Sequence, residues 1–261
     1  MKSKRSKILL SFIMLVYAIV IGGLLAAIIE VPEARLSTIL LSGTPATTTA
    51  GGDLLTETFD SAGYDDADWT EGIGDGNTVD ENDTTSITGF SGQHLQLQQA
   101  SGTIETYAYN SLASDQALTY IRFRINIQSE GLEDTDSINI HSSDVGAHTS
   151  PGTATHRMEL IQTSGSLYFI YKTDGTVRDT SSAISTGTTY CVEIMVDNDG
   201  GAADGWEWRI DGSSEGSGAQ DHAEDKGRFF FGAWSGSSSA TFDVHIDNVD
   251  ISSSDWIGDC S

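Results

Sequence analysis

Basic residues are scarce in this chain. It has 13 Lys and Arg against 38 Asp and Glu over 261 residues, a formal charge of -25. Nucleic acid is excluded as a partner, because phosphate binding needs cations gathered on one face. Such an excess of acid keeps a protein soluble and supplies oxygen ligands for hard cations such as calcium. Cysteine is nearly absent: only Cys191 and Cys260 occur, enough for one disulfide in an oxidising compartment. The six histidines show no His-x-His or His-Glu-x-x-His spacing, so the sequence gives no support for zinc chemistry. There is also no Gly-x-Ser-x-Gly elbow, phosphate-binding loop or Cys-x-x-Cys pair. Beyond residue 30 no stretch carries a helical period.

One long apolar run is present. Residues 1–7, MKSKRSK, are basic, and 8–29 are free of charge. A bilayer core of about 30 Å needs about 20 helical residues, so this run is long enough to span as a transmembrane helix or signal anchor. The basic cluster keeps the N-terminus inside and sends the rest of the chain out of the cytoplasm; cleavage as a signal peptide would give a secreted protein instead. Residues 30–53 are rich in Thr and small residues and read as a flexible stalk, leaving 54–261 as the folded domain.

That domain reads as a succession of short strands bounded by Gly, Ser, Asp and Asn. About eleven are visible, from LLTETF through HLQLQQ, IETYAYN, ALTYIRFRINI and GWEWRID to TFDVHIDNVDIS. Ile121, Phe123, Ile125 and Ile127 alternate with Arg122, Arg124 and Asn126; Tyr190, Val192, Ile194 and Val196 alternate with Cys191, Glu193 and Met195. One apolar and one polar face per strand predicts an all-β fold, a jelly-roll-like sandwich of two antiparallel sheets. In the last strand Phe242, Val244 and Ile246 share a phase that Val249 and Ile251 break. One residue must be absorbed at Asp247 or Asn248, which predicts a β-bulge.

The segment GTTYCVEIMVDNDGGAADGWEWRIDG resembles the paired strands of concanavalin A-like, laminin G-like jelly rolls. FDVHIDNVDIS resembles their last strand, and ETFDSAGYDDADWTEGIGDGN the first strand and loop of secreted carbohydrate-binding jelly rolls. The resemblance implies a structural calcium joining the first strand to the last, at Glu57 or Asp60 and Asp247. It also implies glycan chemistry, so enzymatic motifs need testing. The nearest match to the glucanase pattern Glu-x-Asp-x-Glu is Glu193 to Asp197, with Met195 in the central place. Its two carboxylates stand about 13 Å apart along a strand, too far for either mode of glycoside hydrolysis. NIH (139–141) and HRMEL (156–160) are similar to two lyase motifs, but in the wrong chain order and without the Tyr-rich third. With no intact catalytic motif, the expectation is a membrane-anchored, non-catalytic binding or adhesion module for glycans. The alternatives are a polysaccharide-degrading enzyme and a structural surface protein.

Sugar recognition needs flat aromatics and polar groups together. Arg122, Arg124, Asn126, Asn139 and His141 are expected to share one sheet face if their strands are neighbours. Trp234 is expected at a loop mouth, with Tyr64 and Trp69 in a loop near the start.

Overall fold

The computed structural model describes residues 53–59, 69–74, 76–100, 105–146, 154–198, 205–219, 224–233 and 240–258. The expected membrane helix, the stalk up to residue 52, Asp60, Tyr64, Trp234 and Cys260 lie outside them.

The described residues form fifteen strands and no helix. In chain order they are β1 (Asp53–Glu57), β2 (Thr70–Ile73), β3 (Thr78–Asp83), β4 (His94–Gln99), β5 (Thr106–Gln116), β6 (Leu118–Glu130), β7 (Ser137–Asp144) and β8 (His156–Thr163). They continue as β9 (Ser166–Thr173), β10 (Thr176–Thr180), β11 (Thr189–Asp197), β12 (Gly205–Ile210), β13 (Ser213–Ala219), β14 (Lys226–Ala233) and β15 (Phe242–Ser252). An eight-stranded sheet runs β13-β12-β11-β6-β15-β4-β3, with β1 also paired to β15. A seven-stranded sheet runs β10-β9-β8-β7-β14-β5-β2. All pairings are antiparallel, as two sheets with one dry face each require.

The dry faces meet in one core. Ile121, Phe123, Ile125 and Ile127 of β6 and Val192, Ile194 and Val196 of β11 line it from one side. Met158, Leu160, Phe169, Phe229 and Phe231 line it from the other. Phe123 meets Phe231 edge to face at 5.0 Å, and Tyr171 of β9 stacks on Trp208 at 6.0 Å and 21°. Burying such side chains stabilises by roughly 1.5–3 kcal/mol each. Trp69 joins this core, within 6.0 Å of both Phe59 and Phe231, and is therefore not an exposed sugar platform.

The bulge is where the broken phase places it. Asp247 pairs with Arg124 and Asp250 with Arg122, so three steps on β15 match two on β6. Asn248 absorbs the extra residue in the left-handed region, at φ 51°, a conformation Asn tolerates better than most residues.

Candidate active site

Alternation on the seven-stranded sheet fixes what its outer face carries. Phe229 and Phe231 point into the core, so Arg228 and Phe230 point out. Phe230 pairs with Tyr109 and Arg228 with Ser111, which brings Tyr107 and Tyr109 of β5 to the same face. On β8 Met158 and Leu160 point in, leaving Arg157 and Glu159 outside, beside Lys172 of β9.

These side chains form a connected surface. Phe230 is buried against both tyrosines, at 6.0 Å from the Tyr107 ring and 5.1 Å from the Tyr109 ring. The Arg228 guanidinium lies over the Tyr109 ring at 4.9 Å, steered by a 2.7 Å bond from Nε to Ser111 Oγ. Across β7, Lys172 Nζ donates to Glu159 Oε2 at 2.6 Å, and Arg157 Nη1 stands 3.9 Å from Glu159 Oε1. At one end the Lys226 amine donates to Thr155 Oγ1 at 2.6 Å. Burial lowers the Lys226 pKa below the usual lysine range, and Asp144 pulls it back. Burial and the neighbouring Glu105 push the Tyr107 phenol up, so it stays protonated.

The strands of this sheet also carry most of the cations of the folded domain, and Arg157, Lys172 and Arg228 among them lie on the outer face. Eight Lys and Arg follow residue 52, and five of them (Arg157, Lys172, Arg178, Lys226 and Arg228) lie on strands of this sheet. In so acidic a protein, that concentrates positive charge where an anionic ligand would otherwise be repelled.

The residues singled out from the sequence do not converge. Arg122, Arg124 and Asn126 lie on β6, whereas Asn139 and His141 lie on β7, in the opposite sheet. His141 turns inward between Phe123 at 5.4 Å and Phe231 at 4.8 Å; burial drives its pKa down to about 3. It can bind nothing outside the core. Arg122 is held by Asp250 and the Ile257 carbonyl, and Arg124 donates to the Gly89 carbonyl at 2.6 Å. The Arg124 guanidinium borders a shallow cavity of about 540 Å³, shared with Thr88, Gly89, Thr189, Cys191 and Asp211. Asp211 there accepts from the Cys191 N–H at 2.9 Å. Cys191 is disulfide-bonded.

Sequence reasoning missed Arg157, Lys172, Arg228, Tyr107 and Tyr109. The signal was present: the alternation that places Phe229 and Phe231 inside puts Arg228 outside, and IETYAYN sets both tyrosines in one phase. NIH and HRMEL do sit side by side, Asn139 opposite Glu159 and His141 opposite Met158. Chain order did not separate them, although His141 faces the wrong way for chemistry.

Two further groups have metal-ligand character. Glu57 of β1 and Asp247 of β15 are fully buried near the bulge, where Glu57 pairs with Val249. Glu57 Oε1 accepts from the Phe59 N–H at 2.8 Å, and Asp247 Oδ1 from the Asn248 N–H at 2.8 Å. The second group is Asp83, His94 and His245, on adjacent strands of the eight-stranded sheet.

No protein-family model matches this chain, and no curated protein matches its sequence. Solved structures do match. An endo-β-1,4-glucuronan lyase from the fungus Trichoderma reesei is similar with a TM-score of 0.58 at 13% identity, over 80% of this chain and 99% of that one. The cellulose-induced protein Cip1 gives 0.54 at 16% identity, over 78% and 99%. The alginate lyase Aly36B gives 0.50 at 16% identity, over 64% and 83%. The expectation of a non-catalytic adhesion module is corrected by these neighbours: two of the three are polysaccharide lyases, which favours the enzymatic alternative. At such identities the likeness itself establishes one thing, that this domain has the jelly-roll β-sandwich fold.

Proposed function

We propose that the domain is a polysaccharide lyase that cleaves an acidic, uronate-containing glycan across the outer face of the seven-stranded sheet. The observation that carries this reading is the Tyr109–Arg228 pair, ring to guanidinium at 4.9 Å, with Arg157 and Lys172 on the same face of a strongly acidic protein. Eliminative cleavage removes the proton on the carbon next to the carboxylate, breaks the bond between the adjacent carbon and the glycosidic oxygen, and leaves a double bond between those two carbons. The proton goes to a base, and the departing oxygen takes one up. A cation against the carboxylate lowers the cost of the carbanion-like transition state. Arg228 and Arg157 would supply that charge. Tyr109 would move the proton, carrying it from that carbon to the departing oxygen.

The test is direct. Uronate polysaccharides such as alginate and glucuronan, incubated with the full chain, should release products with the ultraviolet absorbance of a conjugated unsaturated uronate, while neutral glucans should not. Tyr109→Phe should lower turnover by roughly 10²–10⁴. No unsaturated product from any acidic polysaccharide, or full activity in Tyr109→Phe, overturns the reading.

We also propose that Glu57 and Asp247 take part in holding a structural calcium. Two fully buried carboxylates on the paired strands β1 and β15 supply the oxygen ligands that a hard cation demands. A calcium chelator should lower the melting temperature and added calcium restore it, because an ion bound only by the folded state adds stability. An identical melt in both conditions removes the ion from this account.

A further inference from the structure

On the eight-stranded sheet three ligand atoms converge beneath the segment 84–92. Asp83 ends β3, His94 opens β4 as its register partner, and His245 lies on β15 next to β4. Asp83 Oδ2 stands 3.1 Å from His94 Nε2 and 3.1 Å from His245 Nδ1, and the two nitrogens are 2.9 Å apart. The three atoms form a nearly equilateral triangle.

Protons alone do not account for that shape. The carboxylate oxygen only accepts, and each nitrogen carries one proton or one lone pair. With both nitrogens protonated, two N–H groups face each other. With one protonated, its single N–H must serve two edges or leave a pair of lone pairs opposed. A cation above the triangle satisfies all three atoms at once. Metal–nitrogen bonds of about 2.1 Å meeting at right angles give an edge of about 3.0 Å, whereas tetrahedral angles give about 3.4 Å. The observed edges are those of three atoms close enough to share one ion.

The surroundings hold the three groups in this pose. Asp83 Oδ1 accepts from Thr85 N at 3.0 Å and Thr85 Oγ1 at 2.8 Å, which aims Oδ2 at the two rings. His245 Nε2 is 3.1 Å from Asp243 Oδ1, and that oxygen also accepts from Gln96 Nε2 at 2.9 Å. A carboxylate beside the far nitrogen favours the tautomer that leaves Nδ1 a lone pair, the usual support of a metal-bound histidine. Both rings are buried, and the Phe90 ring meets His94 edge-on at 5.2 Å.

We propose that Asp83, His94 and His245 bind a divalent first-row transition-metal ion, of the zinc class, which closes the loop between residues 83 and 94 and ties it to β15. Nitrogen donors separate this site from the oxygen-only corner of Glu57 and Asp247, and it is independent of the proposed lyase activity. The loop it would clip reaches across the sheet, where Gly89 receives Arg124 and Thr88 receives Thr189. The ion is therefore structural: it holds this loop down.

The full chain, stripped with a chelator and titrated with zinc, should take up one tight equivalent and melt at a higher temperature, and calcium should not compete. Cobalt loaded in its place should show the visible spectrum of mixed nitrogen and oxygen coordination. Asp83→Asn and His245→Gln should abolish that equivalent. Asp243→Asn leaves all three ligands in place, so it tests the site even if the ligand variants fold poorly; it should weaken binding roughly 10–100-fold. Failure to take up a stoichiometric ion, an unaltered affinity in Asp83→Asn and Asp243→Asn, or a cobalt spectrum of the free aqua ion overturns the proposal.

Discussion

His141 carries a titratable ring into the core, turned inward by the shift in register between Asn139 and His141. It is fully buried between Phe123 and Phe231, and desolvation lowers its pKa from 6.5 to about 3, the Phe230 backbone offsetting part of the shift. The folded state keeps the ring neutral, while the unfolded chain protonates it below about pH 6.5. The resulting stability is complete above that pH and is lost as pH falls toward 3, on the order of 4–5 kcal/mol over the whole range. His141→Leu should therefore show a smaller fall in melting temperature between pH 7 and pH 4 than the wild type, whatever its stability at neutral pH. Equal acid sensitivity in the two proteins would place the titrating group elsewhere. Alternation along β7 put His141 outside with Asn139, and the shift in register between the two, which no local sequence pattern signals, buries it instead.

Strands were legible in proportion to how much apolar surface they bury. The eleven visible in the sequence are all present, and the four that were not, β2, β3, β10 and β13, are the outermost strands of the two sheets. TEGI, TVDEND, TVRDT and SSEGSGA have little or no apolar face, since an edge strand covers the core only at its margin and must stay polar to avoid pairing with another chain. The bulge on β15 was legible for the opposite reason: both of its flanks are buried, so a one-residue slip shows in the pattern. Its energetics follow from φ 51° at Asn248. Asn248→Gly should be close to neutral, while Asn248→Val should cost roughly 1–3 kcal/mol in denaturant unfolding, because a β-branched residue is strained at positive φ. Equal midpoints for the two variants would contradict that account. The Asp83, His94 and His245 cluster was invisible for a third reason. Its members are brought together by strand pairing across 151 residues between His94 and His245, a distance no local spacing rule spans.

The two sheets divide the labour. Arginines on the outer face of the eight-stranded sheet are committed to structure: Arg122 to Asp250 and the Ile257 carbonyl, Arg124 to Gly89. On the seven-stranded sheet Arg157 and Lys172 lie part-exposed about Glu159, and Arg228 part-exposed over Tyr109, the face on which we propose that the glycan binds. Affinity for an acidic glycan separates the two faces. Calorimetric titration of a uronate oligosaccharide into the wild type, Arg228→Ala and Arg124→Ala should give binding at least tenfold weaker in Arg228→Ala and unchanged in Arg124→Ala. Wild-type affinity in Arg228→Ala together with loss in Arg124→Ala would move the site to the other sheet and contradict the account.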